Sequence, residues 1–288
     1  MKVLFAALII AAIVVAGCLW AIRPLRVPLD ASVPQDFPAD GFSHEAFESL
    51  LRQYTDRDGR VDYASWHASE KSISRLHGYL AAVRAYSPDN AAQRFPSLND
   101  ELVYWIQAYN AYVIKAVLDH WPLDSVTDVK APIEAVTGMG FFYRLRYPFG
   151  GRYYSLLHVE NDIIRERHRD ARIHFVLNCA SDSCPVLKPE LPAGAGLEEA
   201  LARAATEFVA DPQNVAIDHA AQTVTLSRIF KWFRKDFIND LRRRGLPADN
   251  GLLDYVASVA PETLRNELVG ASDYEIRFAD YDWSLNSR

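Results

Sequence analysis

Apolar residues recur at three- and four-residue intervals over long stretches of the chain. These intervals predict helices over 43–54, 66–86, 99–120, 155–168 and 197–210, with Ser43 as the N-cap of the first. In the longest, Leu102, Ile106, Tyr109, Val113 and Val117 form one stripe. Alternating runs predict a strand over 173–178, a hairpin from 215–217 and 223–226, and a last strand over 274–279. RLRYPFGGRYYSL, residues 144–156, reads as another hairpin, turning at Gly150-Gly151 between two aromatic strands. The remainder reads as mainly short helices. Helices and strands mix without regular βαβ alternation, which predicts an α+β fold: a single, mainly helical domain with a small, mostly antiparallel sheet.

Polar residues that interrupt these faces are the first candidates for chemistry. In SLLHVENDIIRERH, residues 155–168, Leu156, Leu157, Val159, Ile163 and Ile164 define one helical face. Glu160 falls in its middle and His158 points the opposite way. A carboxylate on an apolar face must be paired, hydrogen-bonded or protonated, because burying a bare charge costs several kcal/mol. Asn110 interrupts the stripe of the long helix in the same manner, either pinning a neighbouring loop or orienting an active-site group. On the strand expected over 173–178, His174 shares a face with Val176 and Asn178. An extended chain would hold it about 16 Å from Cys179.

The N-terminal pattern differs from all of these. Residues 3–22, VLFAALIIAAIVVAGCLWAI, carry no charge, which suits an uncleaved signal anchor. Val15-Ala16-Gly17-Cys18 also has the shape of a lipoprotein cleavage box, with Cys18 as the lipidated residue. The expected layout is a signal anchor or lipoprotein signal over 1–22, a proline-rich linker over 23–42 and a globular domain over 43–288. Either reading places the domain on the extracytoplasmic side of a bacterial envelope, with the membrane as a partner through this segment.

Charge and cysteine usage narrow the chemistry. A net charge of −6 argues against nucleic acid as a partner, and half the residues are hydrophobic, enough for a sizeable core. DRDGRVD, residues 56–62, is explained by a turn, since Gly59 is misplaced for a calcium loop. Of three cysteines, Cys179 and Cys184 share the run RIHFVLNCASDSCPVL. A nucleophilic thiol, a structural disulfide contributing about 2 kcal/mol through its small loop, and a metal site all fit the pair. Redox exchange fits less well, because the spacing is not C-x-x-C.

Val61-Asp62-Tyr63, WIQAYNA (105–111), YSLLHVENDIIR (154–165), RIHFVLNCASDSCPVL (172–187) and YDWSLN (281–286) together resemble the domain of unknown function 547 family, over roughly residues 45–286. The family pattern includes residues matching Glu160, Arg165, His174, Cys179 and Cys184. This chain departs in having Gln107 where Asn is common and Asn161 where His is common. Should that histidine be the base in relatives, His158 would have to substitute here. The resemblance implies a single α+β domain near a membrane and supplies no reaction.

Two functions are expected from these readings. In one, a tethered thiol enzyme hydrolyses or transfers the acyl group of an amide or ester, with Cys179 or Cys184 as nucleophile, His174 or His158 as base, and Glu160 or Asn110 orienting it. In the other, a non-catalytic binding or scaffold domain is stapled by a Cys179–Cys184 disulfide. Neither requires a cofactor or a metal, and the partner class, whether small molecule, peptide or protein, stays open. Convergence of Asn110, Glu160, His174 and Cys179 on an open cleft would favour the enzyme.

Overall fold

The computed structural model describes residues 23–134 and 136–288. The apolar segment 3–22 and Cys18 lie outside the described residues. Among those described, no helix is long and apolar enough to cross a membrane.

At the centre runs α4 (Leu98–Asp119), preceded by α1 (Glu45–Tyr54), α2 (Tyr63–Ala68) and α3 (Glu70–Ala85). Ser97 starts α4 with a reciprocal cap: its hydroxyl accepts from the Asp100 amide, and the Asp100 carboxylate accepts from the Ser97 amide. Every residue from Leu102 to Leu118 is buried, so the stripe read from the sequence is only part of a helix enclosed on all sides. The helix expected over 66–86 divides at Ser69. Its backbone is extended and its hydroxyl caps α3 by accepting from Ser72, so one apolar periodicity spans two axes. At α1 the capping position is His44, with no side-chain cap; Ser43 instead accepts from the Glu45 amide.

Two three-stranded sheets flank the helices, each holding one parallel and one antiparallel pairing. In the first, β2 (Leu145–Phe149) and β3 (Arg152–Tyr154) form the Gly150-Gly151 hairpin, and β1 (Leu25–Arg26) joins β2 in parallel. The proline-bearing stretch therefore lies along the domain. Leu29 is buried, and Arg84 donates to the carbonyls of Leu29 and Ala31 at 2.5 Å each. In the second sheet, β4 (Val215–Asp218) and β5 (Thr223–Leu226) form the expected hairpin, and β6 (Glu275–Phe278) adds in parallel to β5. The fold is α+β, as expected, with its strands divided between two mixed sheets.

The helix α5 covers residues 156–168 and is π-helical over Val159–Arg165. Ser155 caps it by accepting from the His158 amide. The wider turn re-aims the side chains relative to 100° stepping. Leu156, Val159, Ile163 and Ile164 are buried, whereas Leu157 turns outward.

The strand expected over 173–178 does not form. Ala171–Phe175 is a 3₁₀ turn, started by Asp170 accepting from the Arg172 amide and closed by Val176 and Leu177 donating to the Ile173 carbonyl. Residues 173–178 are buried throughout, and a short run enclosed on every side carries no periodicity to separate strand from helix. The extended-chain separation of His174 and Cys179 falls with the strand. Around this turn pack α6 (Gly196–Ala210), α7 (Arg228–Trp232), α8 (Arg234–Arg243) and α9 (Leu252–Val259), with α10 (Glu262–Gly270) against α9, and all share one hydrophobic core with α4.

Candidate active site

The 3₁₀ turn delivers the chain into a second, tighter turn that carries both cysteines. Asn110 on α4 fixes its entrance: its amide nitrogen donates to the Val176 carbonyl at 3.0 Å and its oxygen accepts from the Asn178 amide at 2.9 Å. Asn178 repeats the device inside the turn, accepting from the Ala180 amide at 2.8 Å and donating to the Pro185 carbonyl at 2.8 Å. Ala180 is left at φ 61°, a left-handed conformation that costs a non-glycine residue about 1 kcal/mol. From behind, the C-terminal segment clamps the loop, with Asp182 donating to the Ser284 carbonyl and Asn286 to the Ala180 carbonyl. Asn110 is thus a pin for the cysteine turn, its amide bonded to backbone on both sides.

Cys179 and Cys184 are free thiols. The Cys179 amide donates to the Cys184 sulfur at 2.8 Å, and the Cys179 sulfur lies 2.9 Å from the Ser181 hydroxyl and 3.1 Å from that of Tyr281. Ser181 and Tyr281 are themselves 2.8 Å apart. Burial alone would push the Cys179 thiol up; hydrogen bonds from Cys184, Ser181 and Tyr281 outweigh it and bring the group below the ordinary cysteine value. Burial and the proton shared toward Cys179 push Cys184 well above that value. The pair is therefore asymmetric, with the more acidic thiol at Cys179.

Both thiols line a cavity of about 540 Å³ together with Tyr109, Glu160, His174 and Tyr281. Burial raises the Glu160 carboxyl to about 6, partly offset by Arg165 and by the Tyr109 hydroxyl, which donates to Glu160 Oε2 at 3.3 Å. Burial, followed by the charges of Glu160 and the two cysteines, keeps Tyr109 protonated and therefore a donor. Its hydroxyl stands within electrostatic reach of the acid and of both sulfurs.

His174 enters from the 3₁₀ turn, stacked on Phe233 at 3.8 Å, with Nε2 2.9 Å from Asp236 Oδ2. Asp236, on α8, also accepts from Arg165 at 2.7 and 3.2 Å. Burial would raise its carboxyl, but His174 and Arg165 hold it well below the usual carboxylate range. An ionised carboxylate only accepts, so Nε2 carries the imidazole proton and Nδ1 is the basic nitrogen. Burial lowers the histidine's pKa, an effect Asp236 partly reverses, so the ring is neutral at pH 7.

Of the residues expected from the sequence, Glu160, His174, Cys179 and Cys184 share one cavity, and Asn110 stands behind it. His158 does not line it: its ring stacks on Tyr154 at 4.8 Å and bonds Asp162 at 2.8 Å. It is not placed to substitute as base. Asn161, where relatives have histidine, does line the cavity, and accepts from the Arg165 guanidinium. Among the described residues, no group of three or more His, Cys, Asp or Glu side chains is arranged to hold a metal ion. Sequence reasoning missed Tyr109, Ser181, Asp236 and Tyr281 as members of the site. Tyr281 begins the YDWSLN run and Tyr109 stands in WIQAYNA, whereas Asp236 carries no local signal.

A family model described as "Protein of unknown function, DUF547" matches residues 93–209. The matched stretch, which holds α4, the first hairpin, α5 and the cysteine turn, is similar to that family. The match is narrower than the quoted motifs, leaving Val61-Asp62-Tyr63, Asp236 and Tyr281 outside it. No curated protein and no solved structure matches the chain.

Proposed function

We propose that this cavity is the active site of a cysteine-dependent hydrolase or acyltransferase acting on an amide or ester, with Cys179 as nucleophile. The observation that carries the reading is the hydrogen-bonded setting of its sulfur, which favours the thiolate on the wall of a cavity that also holds a carboxyl titrating near neutrality. The Cys179 thiolate attacks the carbonyl carbon, forming a C–S bond. The bond from that carbon to the leaving oxygen or nitrogen breaks, and the leaving group takes a proton from protonated Glu160. His174 Nδ1 is the base that then activates water or an acceptor alcohol or amine. Attack by that acceptor on the thioester releases the acyl product and the Cys179 thiolate, and the proton taken up by His174 passes back to Glu160 to restore the starting state. Tyr281 and Ser181 act through the sulfur, and Asn110 acts through the turn, as positioning residues.

The address of this chemistry is part of the proposal. The uncharged run 3–22 supports a domain tethered to the membrane on the extracytoplasmic side of a bacterial envelope. A second reading, a scaffold domain stapled by a Cys179–Cys184 disulfide, draws on the closeness of the Cys179 amide and the Cys184 sulfur.

The test is acyl-enzyme trapping. With the full chain in lipid nanodiscs and p-nitrophenyl acetate as acyl donor, peptide mass mapping is expected to find acetyl on Cys179. The adduct should be absent in Cys179→Ser and retained in Cys184→Ser. Undiminished ester turnover by a folded Cys179→Ser variant would contradict the proposal, and a recovered disulfide-linked 179–184 peptide would establish the scaffold reading in its place.

A further inference from the structure

The walls of the cavity say more about a substrate than the catalytic cluster does. Beyond that cluster the lining is largely aliphatic and aromatic, from residues such as Met139, Phe142, Leu177 and Ile229. The apolar surface also continues outward. Val136, Tyr143, Leu157 and Trp232 line the cavity and are 67%, 42%, 41% and 47% exposed. Isolated exposed apolar side chains are ordinary on any protein, but four that line one cavity give it an apolar entrance.

On the other side of the cysteine turn the chemistry reverses. A second cavity, also of about 540 Å³, is lined by Arg60, Asp182, Lys188, Glu207, Arg228 and Asp280, among others. Most of its charges are paired: Arg60 with Asp182 at 2.7 Å, Lys188 with Glu207 at 2.5 Å, Arg228 with Asp280 at 2.8 Å, while the Asp211 carboxylate accepts from the Gln213 amide. Cys184, Pro185 and Tyr281 line both cavities. The turn that carries the thiols is therefore a partition, apolar on one side and polar, with both signs of charge, on the other.

From this we infer that the substrate is an amphiphile that seats a linear alkyl acyl chain in the apolar cavity, its carbonyl at the Cys179 sulfur and its polar, uncharged or zwitterionic leaving group directed past Cys184 and Tyr281. The inference rests on the thiol-enzyme reading and adds the substrate class to it. The apolar cavity has room for well over a dozen water-sized groups at about 30 Å³ each, enough for a medium-length chain. A compact acyl group such as acetyl would leave most of that wall uncovered.

A series of N-alkylmaleimides from ethyl to octyl tests this on the full chain in lipid nanodiscs. An internal reference thiol is introduced by Leu98→Cys, at a position 72% exposed and outside both cavities, so that partition into lipid affects both thiols. Relative to that reference, the rate at Cys179 is expected to rise up to about fourfold for each added methylene buried. Leu157→Asp, at the entrance, should flatten the slope. A ratio unchanged from ethyl to octyl, with Cys179 reacting readily throughout, overturns the alkyl-chain inference and leaves the thiol enzyme standing. A Cys179 that fails to react even with ethylmaleimide at pH 8 removes both together.

Discussion

Hydrogen bonds from Cys184, Ser181 and Tyr281 hold the Cys179 thiol below the ordinary cysteine value, and the side-chain donors can be tested by deletion. Tyr281→Phe removes one donor to the Cys179 sulfur and keeps the ring that lines the cavity. A hydrogen bond to a charged group contributes about 1.5–3 kcal/mol, so the thiol should titrate roughly 1–2 pH units higher, read from the pH dependence of alkylation. Asn110→Ala should destabilise the domain by about 2–4 kcal/mol in urea unfolding, because it strands the Val176 carbonyl and the Asn178 amide inside the core. Glu160 has the opposite sign. Its folded value of about 6 stands above the ordinary 4.5, so the folded chain holds that proton more tightly. Stability is fully present below about 4.5 and is lost as pH rises through about 6. Glu160→Gln should therefore stabilise the fold by about 2 kcal/mol at pH 8, scarcely at all at pH 4, and slow acyl transfer. An unchanged stability difference between those two pH values would show that Glu160 is not held protonated.

At the scale of elements, what could be read from the sequence depended on whether one face met solvent. The Gly150-Gly151 hairpin and the 215–226 hairpin stand as expected because turn chemistry marks them locally. Residues 173–178 are enclosed on every side, and alternation there imitated a strand where a 3₁₀ turn forms. Glu160 was legible as a polar break in an apolar face, although it stands in the π-helical turn of α5, where it lines the cavity. The Gly138–Tyr143 segment is aromatic and glycine-bearing. It builds the π-helix Met139–Arg144 that walls the cavity, and Gly140 sits where a Cβ would lie 2.0 Å from the Val129 carbonyl oxygen. Gly140→Ala must move backbone, and should cost about 1–3 kcal/mol in thermal unfolding while widening the cavity. A fully stable Gly140→Ala variant would contradict the close approach of these two segments.

Across the whole molecule, the site is assembled from segments that no local pattern connects. His174 meets Asp236 across 62 positions and Cys179 meets Tyr281 across 102, so neither partner was visible in the sequence beside the residue it serves. The C-terminal segment brings Tyr281 and Trp283 to the cavity while Leu285 bridges Ser181 and Ser287 bridges Val61. Removing residues 281–288 should therefore return the Cys179 thiol toward its ordinary value as well as lower the melting temperature. A shortened chain that kept its reactive thiol would separate the tail from the chemistry. The most direct measurement is the rate of iodoacetamide labelling at Cys179 and at Cys184, each mapped by peptide mass, against pH and without prior reduction. Cys179 is expected to be labelled with a midpoint below the ordinary cysteine value while Cys184 lags far behind. Equal labelling of both at the ordinary value, or none until the protein is reduced, would contradict this expectation.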